Sequence, residues 1–136
     1  MRRALIDTGA IYALVAASDR HHAAAVDYTK KWVGRGGVWV LADLVFAETM
    51  TLAKRRLGSA VAVRVGQELR ENPVYVWTDV TTDLERETWA LFQRYQDKEW
   101  SYTDCALLAL SGHLRSREVF AFDEHFVQMP GIVRVP

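Results

Sequence analysis

Four short runs in this chain are almost wholly apolar: Ala4-Leu5-Ile6, Val38-Trp39-Val40-Leu41, Val74-Tyr75-Val76-Trp77 and Val119-Phe120-Ala121-Phe122. A strand that is apolar in both side-chain directions must be covered on both faces, as in a parallel sheet packed between helices. Helical patterns fill the intervals, over residues 8–17, 20–33, 43–57, 59–70, 82–95 and 101–114. Local signals punctuate them. Gly34-Arg35-Gly36-Gly37 closes the second, Asp43 caps the third and Gly58 follows it, Asn72-Pro73 stops the fourth, and Ser101 opens the sixth. The alternation predicts an α/β fold: a central parallel β-sheet of four to five strands flanked by helices, the fifth being a short edge strand over residues 132–135. A length of 136 residues, without internal repeat or linker, predicts a single domain, residues 1–136.

Charge narrows the function. The 17 Lys and Arg balance the 17 Asp and Glu, whereas a chain that grips nucleic acid over a broad surface carries a basic excess. Nucleic-acid binding must therefore rest on a local site. Lys30-Lys31, Lys54-Arg55-Arg56 and the pair Arg115 and Arg117 are the local basic clusters, readable as solvated helix surface or as phosphate contacts. Cys105 is the single cysteine and has no internal disulfide partner, so a reducing, cytoplasmic setting is expected. The apolar stretch near the N-terminus stops at Asp7, too short for a signal peptide. No apolar run approaches the ~18 residues of a membrane span.

In open α/β sheets, ligands bind beyond the carboxyl ends of the strands. Asp7 ends the first strand and Asp123 the fourth; each reads as a site acid or as a cap for the next helix. In the third helix Leu44, Glu48 and Leu52 stand four apart on one face, with Val45 beside them. A Glu pointing to the core from that face must be paired, protonated or bound to a cation, or else lie at a rim. Asp104 lies in Ser101-Tyr102-Thr103-Asp104, a capping-box pattern that also makes a rigid platform for a carboxylate. If all four converge, six pairs repel. At about 5 Å and an effective dielectric near 20 each pair costs roughly 3 kcal/mol, and the simple sum of about 20 kcal/mol is an upper bound. That rivals the whole stability of a small domain. A divalent cation is the direct remedy, and oxygen-only ligands suit Mg²⁺ or Mn²⁺ rather than zinc. Such a site suits hydrolysis of a phosphodiester.

The segments Leu5-Ile6-Asp7-Thr8-Gly9-Ala10, Glu48-Thr49, Ser101-Tyr102-Thr103-Asp104-Cys105, Phe122-Asp123-Glu124-His125-Phe126 and Pro130-Gly131-Ile132 together resemble the PIN domain nucleases, in particular the VapC-like toxins of type II toxin–antitoxin pairs. The resemblance covers essentially the whole chain; each motif is weak alone, and the ordered set is fairly specific. It implies a PIN-like fold with Asp7, Glu48, Asp104 and Asp123 as an acidic quartet. Asp7 and Asp104 would be direct Mg²⁺ ligands, with Mn²⁺ a possible substitute. Glu48 and Asp123 would complete the pocket, directly or through water, and Ser101 and Thr103 would support Asp104. It further implies an RNA substrate (tRNA, rRNA or mRNA), a small cognate antitoxin and a homodimer. Gly9 stands where many relatives carry Ser or another small residue.

Other residues carry two readings each. Asp97 is an outer-shell acid or a solvated loop acid. His125 orients Asp123, or is a local cap or core-facing ring. His21-His22 reads as a solvated face rather than a metal site, because neighbours on a helix point apart. Trp39 and Trp77 fall in strands and read as core; Trp32 and Trp100 are core, or exposed enough to stack a base. Phe46, Met50, Val61, Ala62 and Val65 offer more apolar surface than one sheet face needs, so part of it is expected to meet an antitoxin or a second copy. Two other functions compete. A non-catalytic PIN-like binding module has no reason to keep four acids. A receiver or Asp-x-Asp phosphatase needs acids where this chain has none: Gly9 occupies the second position, and only Asp79 after the third strand fits.

Overall fold

The computed structural model describes residues 2–136, so Met1 of the N-terminal stretch lies outside them. The elements are β1 (Arg3–Ile6), α1 (Thr8–Val15), α2 (His22–Gly34), β2 (Val38–Ala42), α3 (Asp43–Leu57), α4 (Ser59–Glu71), β3 (Tyr75–Thr78), α5 (Thr82–Arg94), α6 (Tyr102–Leu114), β4 (Glu118–Phe120), α7 (His125–Gln128) and β5 (Val133–Val135). Five parallel strands form one sheet in the order β3-β2-β1-β4-β5, flanked by the seven helices. The chain builds outward from β1 to β3, then returns to add β4 on the other side. The order therefore reverses between β1 and β4, the position beyond whose strand ends ligands bind in open sheets of this kind. No helix among the described residues is long and apolar enough to cross a membrane.

The apolar runs form the strands because they are buried. Ala4, Leu5, Ile6, Trp39 to Ala42, Val119 and Phe120 are all buried. The edge strand β3 departs from the expectation: Val76 and Trp77 are exposed, since an edge is covered on fewer sides. The aromatic core joins two helical turns to the sheet. Trp32 of α2 stacks on Trp39 at 5.1 Å between ring centroids, and Trp39 meets Phe120 at 4.7 Å. Trp32 also donates its indole N–H to the Val38 carbonyl. Gly37 lies against that indole, and a Cβ there would fall 2.4 Å from the ring. The Gly-rich turn is thus required by close approach of a ring as well as by helix termination.

Several boundaries shift for local reasons. α1 stops at Val15, and α2 starts at His22, because Asp19 accepts from the His21 N–H and holds a turn between them. β3 starts at Tyr75, since Asn72 Oδ1 accepts from the Val74 N–H and keeps Val74 in the turn. β4 ends at Phe120 rather than Phe122, whose carbonyl accepts from Arg134 instead of a strand neighbour. Asp43 is not the cap of α3; Ala42 is. The Asp43 carboxylate accepts from Leu44 N–H at 2.8 Å and from Val80 N–H at 3.2 Å, and so ties the start of α3 to the loop after β3.

The surplus apolar surface of α3 and α4 is mostly used between those helices. Ala62 and Val65 are buried, and Met50 packs under Gly66. Val63 on α4, Val76 and Trp77 on β3, and Trp89 and Phe92 on α5 are among the large apolar side chains left in water. Trp32 and Trp100, read alternatively as exposed, are both buried.

Candidate active site

Asp7 stands at the carboxyl end of β1, beside the sheet's reversal point. Its backbone N–H donates to the Phe120 carbonyl at 3.0 Å, which fixes it against β4. Its side chain accepts from Gly9 N–H and caps α1, so the capping reading and the site reading hold together. Asp7 is only 6% exposed. Burial pushes its carboxyl up to about 7; the nearby Asp104 charge and, more weakly, Glu48 push the same way, while the Thr8 and Gly9 N–H groups pull it down. Asp7, Asp104 and Glu48 therefore share one electrostatic neighbourhood.

Asp104 enters from α6. Ser101 Oγ accepts from Asp104 N–H at 3.0 Å, and Ser101 N–H donates to Asp104 Oδ2 at 2.9 Å, completing the capping box. The same Oδ2 lies 3.0 Å from His125 Nδ1. Asp104 is buried, with Oδ2 committed to two protein partners.

The other two acids lie at the rim. Glu48 is exposed, and the face of α3 that faces the core is Val45, Thr49 and Ala53. The expected core face of Leu44, Glu48 and Leu52 is thus rotated by about one residue, because small Thr49 and Ala53 let α3 approach closely. Glu48 lines a cavity of about 270 Å³ with Thr8, Thr51, Leu52 and Arg55. Asp123 lies three residues past the end of β4, with its side chain 46% exposed. Its Oδ1 accepts from His125 N–H at 2.9 Å and lies 3.3 Å from the imidazole Nδ1.

His125 therefore bridges Asp104 and Asp123. The ring contacts Asp123, its backbone is locally capped, and it also reaches Asp104, a contact that the Asp-x-His spacing does not signal. Among the described residues, no three Asp, Glu, His or Cys side chains stand close enough to cage a metal ion. The repulsion expected of four converged acids is avoided here by leaving two in water and by raising the carboxyl of Asp7. The donor chemistry nevertheless fits a hard cation. Asp7 and Asp104 are buried oxygen donors, and Thr8 Oγ1, buried beside Asp7, has no hydrogen-bond partner.

The surroundings carry both signs of charge. Arg55 and Arg56, in the last turn of α3, border Glu48 and Asp123 respectively. A cleft of about 640 Å³ opens from Asp123 and takes in Arg20, His21, Arg56 and Arg134. His21 and His22 are not simply a solvated face: His21 stacks on Phe122, and His22 Nδ1 lies 2.7 Å from the Ala13 carbonyl. Lys31 pairs with Asp27 on the surface, and Asp97 is an exposed turn residue. A second cavity, of about 540 Å³ between α5 and α6, contains none of the four acids.

The family model described as "PIN domain" matches residues 4–132. The chain is 31% identical over 121 residues to the 23S rRNA-specific endonuclease VapC20 of Mycobacterium tuberculosis, covering 89% of each sequence. The crystal structure of that VapC20, described as a Sarcin-Ricin loop cleaving toxin, superposes with a TM-score of 0.80 at 29% identity, over 90% of this chain and 92% of the other. A toxin–antitoxin complex from Klebsiella pneumoniae shares the fold at a TM-score of 0.68 and 21% identity, over 96% and 95% of the two chains. With a family match over nearly its full length and a five-stranded parallel sheet that superposes on a VapC toxin, this chain belongs to the PIN domain family.

Proposed function

We propose that residues 1–136 form a single endoribonuclease domain, the toxin of a type II toxin–antitoxin pair, working in the reducing cytoplasm. The observation that carries this reading is the burial of both Asp7 and Asp104, with the Asp7 carboxyl, beside the sheet's reversal point, raised to about 7 in part by the Asp104 charge. A carboxyl raised by burial and by a neighbouring acid, as Asp7 is, is destabilising in its charged form unless a cation or a proton compensates, and such groups cluster at functional sites. VapC20, the relative with 31% identity, is an rRNA endonuclease by name, which makes ribosomal RNA the first substrate to test ahead of tRNA or mRNA.

Asp7 and Asp104 would hold a Mg²⁺ ion, with Mn²⁺ able to replace it, and Glu48 and Asp123 would complete the site directly or through water. When bound, such an ion lowers the pKa of water and neutralises charge on a phosphodiester. The chain's own residues do the remaining work. The capping box and His125 hold Asp104 Oδ2 in place from two directions, which fixes the carboxylate without closing off its other oxygen. His125 holds Asp123 at the mouth of the cleft. Glu48, solvated at the rim, is available to take a proton from water. The exposed apolar residues Val63, Trp77, Trp89 and Phe92 supply surface for the cognate antitoxin and for a homodimer contact.

The test is cleavage of total cellular RNA by purified protein with Mg²⁺ or Mn²⁺, with EDTA, and with an Asp7→Asn, Asp104→Asn double variant. Discrete products that need the metal and are absent with the variant are expected. Absence of cleavage by antitoxin-free, metal-loaded protein, or cleavage that survives in the double variant, overturns the reading.

A further inference from the structure

The cleft that opens from Asp123 has a chemistry that hydrolysis alone does not use. Its volume, about 640 Å³, is within the ~300–1,000 Å³ of sites that enclose small ligands. One wall is aromatic. His21 and Phe122 stack with their rings 4.3 Å apart and 4° from parallel, and Phe120 braces Phe122 edge-on from the core. The lining also carries cationic groups. Arg56 lies over the Tyr12 ring, 5.3 Å from its centroid, which holds the guanidinium at the cleft.

The carboxylates that also line the cleft are mostly engaged. Asp19 accepts from the His21 N–H, Glu124 pairs with Arg134, and Asp123 is held by His125. Arg20 donates to the His21 ring. Neither Arg56 nor Arg20 makes an ion pair among the described residues, but Arg20 is tied to the His21 ring, so the Arg56 guanidinium is the freer of the two to meet an outside anion. An aromatic stack and an unneutralised guanidinium lining one cleft, beside the proposed reaction centre, fit a ligand with a flat π-face and a phosphate.

We propose that this cleft binds one nucleotide of the RNA strand next to the cleaved bond, with its base against the His21–Phe122 stack and its phosphate on Arg56. The assignment rests on the ribonuclease reading and adds to it a place for the substrate. It also accounts for how a chain of zero net charge grips a polyanion: through a few residues at one spot.

The test is fluorescence anisotropy of the full chain with a labelled, mixed-sequence single-stranded decaribonucleotide. EDTA is present so that no cleavage occurs, and salt is varied. Arg56→Ala should weaken binding about tenfold and lower the slope of log affinity against log salt by about 0.7, the value for one phosphate on a single strand. Arg56→Lys should keep the slope. His21→Ala should weaken binding about tenfold with the slope unchanged, as loss of one base stack does, and His21→Phe should restore it. Arg94→Ala, in the cavity between α5 and α6, should change nothing. Cleavage of total RNA by wild-type protein is measured alongside. If the wild type neither cleaves nor binds RNA, the ribonuclease reading itself fails. If it cleaves while the Arg56 and His21 variants bind as wild type does, or Arg94→Ala weakens binding equally, the cleft assignment alone falls. Variants that keep RNA affinity but lose affinity for the product of a neighbouring antitoxin gene would make the cleft a protein-docking surface instead.

Discussion

Replacing Asp7 by Asn keeps the shape of the side chain and removes its charge. The Asp7 carboxyl rises from an ordinary 3.8 to about 7 in the fold. Between those values the folded chain holds a proton that the unfolded chain has released. Folding therefore bears no penalty from Asp7 below pH 3.8, and a growing one as pH rises, complete above about 7. At ~1.4 kcal/mol for each tenfold, the rise to about 7 corresponds to roughly 4 kcal/mol at pH 8 and roughly 2 kcal/mol at pH 5. Asn keeps the acceptor for the Gly9 N–H, so little is lost in exchange. The variant should be more stable than the wild type in EDTA, by those amounts, with a difference that shrinks toward zero near pH 4. Urea unfolding at a series of pH values reads this directly, because titrations shared by both proteins cancel in the difference. At pH 8 the melting temperature should rise by roughly 10 °C. A variant of equal or lower stability at pH 8, or a gain that ignores pH, would refute the claim that Asp7 is buried against uncompensated charge.

Three further outcomes follow from the same geometry. Millimolar Mn²⁺ should raise the melting temperature of the wild-type protein at pH 8, and of Asp7→Asn much less, because a ligand that binds only the folded state stabilises it by mass action; equal shifts would place the ion elsewhere. His125→Ala removes the bridge between Asp104 and Asp123 and should weaken Mn²⁺ binding roughly 10- to 100-fold, as loss of a ligand's supporting partner does, with thermal stability nearly unchanged; calorimetric titration checks both. Gly37→Ala puts a Cβ 2.4 Å from the Trp32 indole and should cost about 1–3 kcal/mol through displacement of the ring from its stack on Trp39; denaturant unfolding with wild-type stability would mean that the Trp32 contact yields freely.

The parallel sheet was legible because its strands are apolar on both faces, a requirement any four buried strands impose locally. The capping box at Ser101 and Asp104 was legible for the same reason, since the residues that make it are three apart in sequence. Three of the four acids, Asp7, Asp104 and Asp123, could be expected at strand and helix ends from punctuation alone. Other features needed the third dimension. Trp39 and Trp77 occupy matching apolar runs, yet Trp39 is buried and Trp77 is 40% exposed. Only the strand order, β3 at one edge and β2 inside, separates them. The turn of α3 that buries Thr49 and leaves Glu48 at the rim was decided by how closely that helix packs, which a heptad-like pattern does not resolve.

The same division runs through the candidate site. Sequence by itself determined which acids exist, their order along the chain and the helix and strand ends that carry them, because caps and hydrophobic periodicity are interactions between near neighbours. Tertiary structure alone decided that Asp104 and His125, 21 residues apart, share a proton's distance. It likewise decided that Asp7 is deep and Asp123 shallow, and that Arg56, His21 and Phe122 face one cleft. Those relations depend on the long-range closure of the sheet between β1 and β4, whose energy comes from burying whole strands and is not encoded in any short motif.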